Sequence, residues 1–175
     1  MQILSSLVLA AFAAVAVEAA KPTVYLIRHG EKPDDGNGLN AMGEERAQCL
    51  RTVFGATSQY NIGYIMAQMP KSSGKRERPL LTVEPLAADL GLDVDISCDR
   101  DDPECVQDVV DSYDGEGNIL ICWEHKQLST ISEQLGADNV KDYPDDSFNL
   151  IWTQPYDYSK IVSITSEDCP GLDDN

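Results

Sequence analysis

Apolar positions along the chain come in two kinds of block: short continuous runs, and longer stretches in which apolar residues recur three and four apart. The first kind predicts buried strands and the second predicts amphipathic helices. Runs occur at residues 23–27, 60–68, 92–97, 119–123, 148–153 and 160–165, the last two as a possible hairpin about the turn at residues 155–158. Helical spacing occurs between them. Ala47, Leu50 and Phe54 form one stripe within residues 42–54. Val83, Leu86, Ala87 and Leu90 form a second, in which Pro85 is expected to break or kink the helix near Glu84 before Gly91 ends it. Val106, Val109, Val110 and Tyr113 form a third, opened by Asp102 as N-cap and Pro103 as first residue. Leu128, Ile131 and Leu135 form the fourth, closed by Gly136. Strands alternating with helices predict an α/β three-layer sandwich, a mostly parallel central sheet covered by helices on both faces.

The amino-terminal run is different in character. Residues 1–17 are apolar apart from Gln2, Ser5 and Ser6, and Glu18-Ala19-Ala20 follows as a small-residue cleavage site. Residues 1–20 therefore read as a signal peptide, cleaved after Ala19 or Ala20, and residues 21–175 as one secreted domain. The alternative is an amino-terminal anchor, because the charged n-region is missing. Formal charge is −17, and −16 once Glu18 is removed. Such a field repels nucleic acid and anionic membranes, so neither is expected as a partner of the mature form. A phosphorylated ligand would need a local basic pocket. Five cysteines in a secreted chain permit disulfides and leave one over. Cys122 lies inside an apolar run and is the expected free thiol, whereas Cys98 and Cys105 flank a short acidic loop as the expected pair, worth about 2 to 3 kcal/mol. The acidic tail beyond Ser166 is expected to be loosely held unless Cys169 ties it down.

Candidate chemistry lies at the ends of strands. The first run stops abruptly at Arg28-His29-Gly30-Glu31, and the most apolar run stops at Glu124-His125-Lys126, so both of the chain's histidines follow strands. Open α/β sheets bind ligands at that edge. A neutral imidazole beside a guanidinium suits a phosphoryl group, His29 attacking and Arg28 holding oxygens. Four of the thirteen basic residues, Lys71, Lys75, Arg76 and Arg78, fall within residues 71–78 and mark an anion pocket or a solvated turn. Lys75 and Arg76 read as solvated residues that at most sharpen the local field.

Taken together, Arg28-His29-Gly30-Glu31 after a strand, Leu39-x-x-x-Gly43-x-x-Arg46-Ala47, Arg78-x-x-x-Thr82-x-Glu84-Pro85-Leu86-Ala87 and a strand ending at His125 resemble the histidine phosphatase superfamily, with its phosphoglycerate mutase-like fold. The resemblance covers nearly all of residues 21–175. It implies His29 as the nucleophile that becomes phosphohistidine, with Arg28, Arg78 and His125 gripping the phosphoryl oxygens. It implies no cofactor and no divalent metal, the guanidiniums supplying the positive charge, and a small phosphorylated substrate as partner. Each charge-assisted hydrogen bond contributes about 1.5 to 3 kcal/mol, enough together to outweigh a screened repulsive field.

The chain departs from the family pattern at the proton donor. Many members carry an Asp right after the second histidine, where this chain has Lys126, or a Glu after the second arginine, for which Asp99, Asp101, Asp102, Glu104, Glu84 and Glu124 are the candidates. Lacking an acid would cost about 10² to 10⁴ in rate with poor leaving groups, and would favour phosphohistidine or phosphoanhydride substrates. With no insertion large enough for a cap over the crevice, hydrolysis is expected rather than mutase chemistry. The alternative is a weak or inactive relative that binds a phosphorylated ligand or a protein partner.

Overall fold

The structure, a computed structural model, describes residues 21–173; the expected signal peptide lies outside the described residues. Ten elements follow in order: β1 (Val24–Arg28), α1 (Ala41–Val53), β2 (Ile62–Ala67), α2 (Arg78–Leu90), β3 (Val94–Asp95), α3 (Pro103–Ser112), β4 (Asn118–Trp123), α4 (His125–Leu135), β5 (Leu150–Gln154) and β6 (Ser163–Ser166). The strands form one sheet in the order β3-β2-β4-β1-β5-β6. β3, β2, β4 and β1 run parallel, while β5 is antiparallel to β1 and pairs with β6 as the expected hairpin.

Because side chains alternate along each strand, the sheet carries two cores. Leu26, Ile119, Ile121 and Trp123 pack with Val106 and Val110 of α3 and Leu128 and Ile131 of α4. Ile27, Ile65, Leu120 and Cys122 pack with Leu50 of α1 and Val83, Leu86 and Ala87 of α2. The α/β sandwich is therefore covered on both faces. The helix after β1 goes to one face and the helix after β4 to the other. Those two strands are neighbours, and such a reversal opens a crevice beyond their carboxyl ends.

Three local expectations change. Helix α2 runs unbroken past Pro85, held by the buried face on either side of it, and ends at Gly91, whose φ of 66° suits glycine. The third strand shrinks to two residues at the sheet edge. The tail is not loose: Cys169 is bonded to Cys49 on α1. Cys98–Cys105 is the second disulfide and Cys122 is the buried free thiol, as expected. Beneath the tail, Arg46 of α1 is buried against three carboxylates, Glu31 (2.7 Å), Glu167 (2.7 Å) and Asp173 (2.9 Å). Glu167, Cys169 and Asp173 bring potential metal-ligand atoms within 4.8 Å of one another. The sulfur there is in a disulfide and both carboxylates turn to Arg46, so the group does not read as a metal site.

Candidate active site

Strand register places the site. Arg28 is paired with Trp123, and Ala67 with Cys122, so the next residues of three parallel strands, His29, Glu124 and Gln68, emerge side by side at the carboxyl edge. His29 N donates to Trp123 O at 3.2 Å, extending the ladder by one residue. Since β5 is antiparallel, its amino end arrives at the same edge and brings residues 142–149 over it.

His29 is 5% exposed. Its Nδ1 lies 2.7 Å from Gly30 O, which assigns the ring proton to Nδ1 and leaves the lone pair on Nε2. Burial drives its pKa from the ordinary 6.5 down to about 4, with the positive charges of Arg28, Arg78 and His125 pushing the same way and the Gly30 hydrogen bond opposing them. The ring is therefore neutral at ordinary pH. Arg28, Arg78 and His125 are thus each near enough for the His29 ring to feel their charge. The turn carrying His29 is fixed from below: Gly30 N donates to Thr82 Oγ1 (2.9 Å), whose hydroxyl donates to Arg78 O (2.8 Å). Helix α1 approaches it so closely that a Cβ on Gly43 would meet Glu31 N at 2.8 Å.

The guanidiniums are partly engaged. Arg28, buried against the Phe148 ring at 3.7 Å, donates through Nη1 to Asp145 O (2.8 Å) and Ser147 O (2.6 Å), with Pro144 O at 3.4 Å. Its Nε is buried with no hydrogen-bond partner. Burial holds its pKa below the usual guanidinium range, against the opposing pull of Tyr143, Glu124, Asp145 and Glu31. Arg78, the first residue of α2, donates Nε to Gly38 O (3.0 Å) and Nη2 to Gly36 O (2.7 Å), and Nη1 takes no part in either bond. His125, the first residue of α4, has Nε2 2.7 Å from Asp145 Oδ1. Its buried Nδ1 lies 2.9 Å from Glu124 Oε1 without hydrogen-bonding geometry.

The remainder of the basic stretch does not join the site. Arg76 is paired with Asp99 (2.8 Å) and Asp101 (3.0 Å), so the acidic disulfide loop neutralises it. Those two carboxyls are held below the usual range, Asp99 chiefly by the Asp101 N–H and Asp101 chiefly by Arg100, and neither is a proton donor. Asp102 caps α3, Glu104 sits in its first turn and Glu84 is exposed on α2. Of the six candidate acids only Glu124 lies against a site residue.

Sequence reasoning missed Asp145, Phe148, Thr82 as a support of the His29 turn, and Gln68, a buried amide that donates to Arg76 O (3.2 Å) and accepts from Glu124 N (3.1 Å). Gln68 at a strand's end was the one detectable signal. A concavity of about 410 Å³ lies beside His125, Lys126 and Asp145. A larger one, about 570 Å³ beside Leu39, Leu81 and Pro85, holds neither histidine; chemistry, not volume, marks the site.

No family model matches the sequence, and no curated protein matches it either. Solved structures do. A putative phosphohistidine phosphatase SixA from Agrobacterium tumefaciens superposes with a TM-score of 0.58 at 14% identity, covering 83% of this chain and 98% of the other. The protein histidine phosphatase SixA complexed with tungstate gives 0.60 at 13% identity, covering 83% and 97%. This chain thus shares the fold of structures that belong to the histidine phosphatase superfamily.

Proposed function

We propose that the protein is a histidine phosphatase that hydrolyses a phosphorylated substrate through a phosphohistidine on His29. One observation carries this reading: a buried, neutral imidazole with its Nδ1 proton directed at Gly30 O, at a sheet edge where Arg28, Arg78 and His125 all act on it. His29 Nε2 attacks phosphorus, the bond to the leaving group breaks with its electron pair, and the phosphoryl group passes to the ring. Water then attacks the phosphohistidine, releasing phosphate and restoring His29. Arg28, Arg78 and His125 stabilise the equatorial oxygens, the main demand of phosphoryl transfer, so no metal ion is needed.

The substrate class follows from the proton inventory. Asp145 is held below the usual carboxylate range by its bond to His125, and Asp99 and Asp101 by their own hydrogen-bond partners, so none of these three carries a proton for the leaving group, and Glu124, the one candidate acid beside the site, is turned to His125 Nδ1 at 2.9 Å. Leaving groups that depart without enzyme protonation are favoured, phosphohistidine first, which agrees with the phosphohistidine phosphatases named among the structural neighbours. The two disulfides support export into an oxidising compartment after loss of residues 1–20. N-terminal sequencing of the exported protein, expected to begin at Ala20 or Lys21, tests that part.

The direct test compares phosphohistidine, an aryl phosphate and an alkyl phosphate, with and without EDTA. Turnover of the first two, slow turnover of the third, no effect of EDTA and loss of all activity in His29→Ala are expected. No turnover of any, or turnover indifferent to His29→Ala, rejects the reading. A second reading, binding of a phosphorylated ligand with little turnover, is favoured by Arg78 directing Nε and Nη2 to main-chain carbonyls. Thermal stabilisation by the ligand without product would support it.

A further inference from the structure

Asp145 holds two of the four candidate site residues with different parts of itself. Its main-chain carbonyl accepts from Arg28 Nη1 at 2.8 Å, and its carboxylate meets His125 Nε2 at 2.7 Å. On each partner one nitrogen that Asp145 does not take stays buried without a hydrogen bond, although His125 Nδ1 also lies 2.9 Å from Glu124 Oε1. Arg28 Nε and His125 Nδ1 are buried without a hydrogen-bond partner, two of the four such side-chain atoms among the described residues. A buried polar nitrogen without a partner is costly, and both belong to residues that act on His29.

We propose that Asp145 is a positioning residue whose carboxylate orients the His125 ring through Nε2, so that Nδ1, together with Arg28 Nε, is offered to the phosphoryl oxygens. The inference rests on the phosphatase reading and adds to it which carboxylate orients the second histidine. A ring nitrogen bound to a carboxylate has its proton and its rotation set by that bond. With Nε2 bound to Asp145, Nδ1 is the ring nitrogen left to meet the ligand, which takes the place of Glu124 Oε1 beside it. The residue after His125 is Lys126, so a carboxylate for Nε2 has to come from another segment. The amino end of β5 supplies it. The Asp145 side chain is 85% exposed, so its carboxylate serves the ring rather than the core.

Substituting the side chain leaves the main-chain carbonyl on Arg28 and isolates the carboxylate. The full chain is compared as wild type, Asp145→Ala, Asp145→Glu, His125→Ala and the double variant, reading tungstate affinity by calorimetry together with the melting temperature. Asp145→Ala is expected to weaken tungstate about tenfold, in line with loss of a charge-assisted bond, with the melting temperature unchanged. Asp145→Glu recovers most of that affinity. In the His125→Ala background the same substitution changes affinity by less than about twofold, because the effect passes through the ring. An Asp145→Ala protein that binds tungstate as well as wild type overturns the proposal. Tighter binding does too, since the carboxylate would then compete with the oxyanion, and so does a tenfold loss that persists without His125. Failure of the phosphatase reading looks different: wild type then binds no tungstate in competition with the phosphorylated substrates, and both ideas fall together.

Discussion

The pKa of His29 is the most exposed point of the reading, because a nucleophilic imidazole has to be neutral while it sits near two guanidiniums and a second imidazole. Burial, reinforced by Arg28, Arg78 and His125, lowers it from 6.5 to about 4. That gap corresponds to about 3 kcal/mol in favour of the neutral ring. At pH 5 an ordinary histidine is about 3% neutral, whereas His29 is about nine-tenths neutral. The acid limb of kcat/KM for an aryl phosphate, which reports free-enzyme groups, is therefore expected near pH 4. The substrate's own ionisation near pH 6 adds a limb, so the ring itself is best followed by ¹⁵N NMR, where Arg78→Ala should move the midpoint upward by removing one positive neighbour. Stability carries the same signature. Between pH 6.5 and 4 the unfolded chain takes a proton on this histidine that the folded chain refuses, so stability is full above 6.5 and falls by up to about 3 kcal/mol as pH drops to 4. His29→Gln should flatten that slope. A ¹⁵N midpoint at 6 or above would refute the reasoning, because the ring would then be protonated wherever burial was supposed to keep it neutral.

The tail offers further tests. Arg46→Ala leaves the buried acid groups of Glu31, Glu167 and Asp173 without their guanidinium and should cost about 3 to 5 kcal/mol in urea unfolding, a loss under 1 kcal/mol contradicting the network. Glu167 is pushed up to about 8 by burial, against Arg46. Folded protein keeps a proton there that the unfolded chain releases, so this contribution is present below about pH 4.5 and lost as pH rises towards 8, the reverse of His29; Glu167→Gln should remove the alkaline slope. Cys49–Cys169 closes a separation of 120 residues and Cys98–Cys105 one of 7, so paired Ala substitutions should cost about 5 and about 2.5 kcal/mol by chain entropy, and the opposite order would argue against that account. Gly43→Ala drives a Cβ into Glu31 and should lower kcat as well as the melting temperature, since the turn it displaces carries His29.

The sequence by itself determined the sandwich, both histidines at strand ends, the Cys98–Cys105 pair and the free Cys122. Those are local matters: apolar periodicity, a cap at Asp102, two cysteines flanking a short loop, a thiol inside an apolar run. Pro85 misled, because one lost hydrogen bond and a ring clash are weaker than a buried face holding α2 on both sides of it. Lys71 to Arg78 read as one basic patch, and only folding divided it, Arg76 turning to Asp99 and Asp101 while Arg78 turned to the carbonyls of Gly36 and Gly38. Asp145 and Phe148 had no signal at all. Their place depends on β5 running antiparallel to β1, a pairing across more than a hundred residues that puts a loop's carbonyls on Arg28 and one carboxylate on His125. Periodicity along a chain records which face is buried; what stands opposite a given atom is decided when strands choose neighbours.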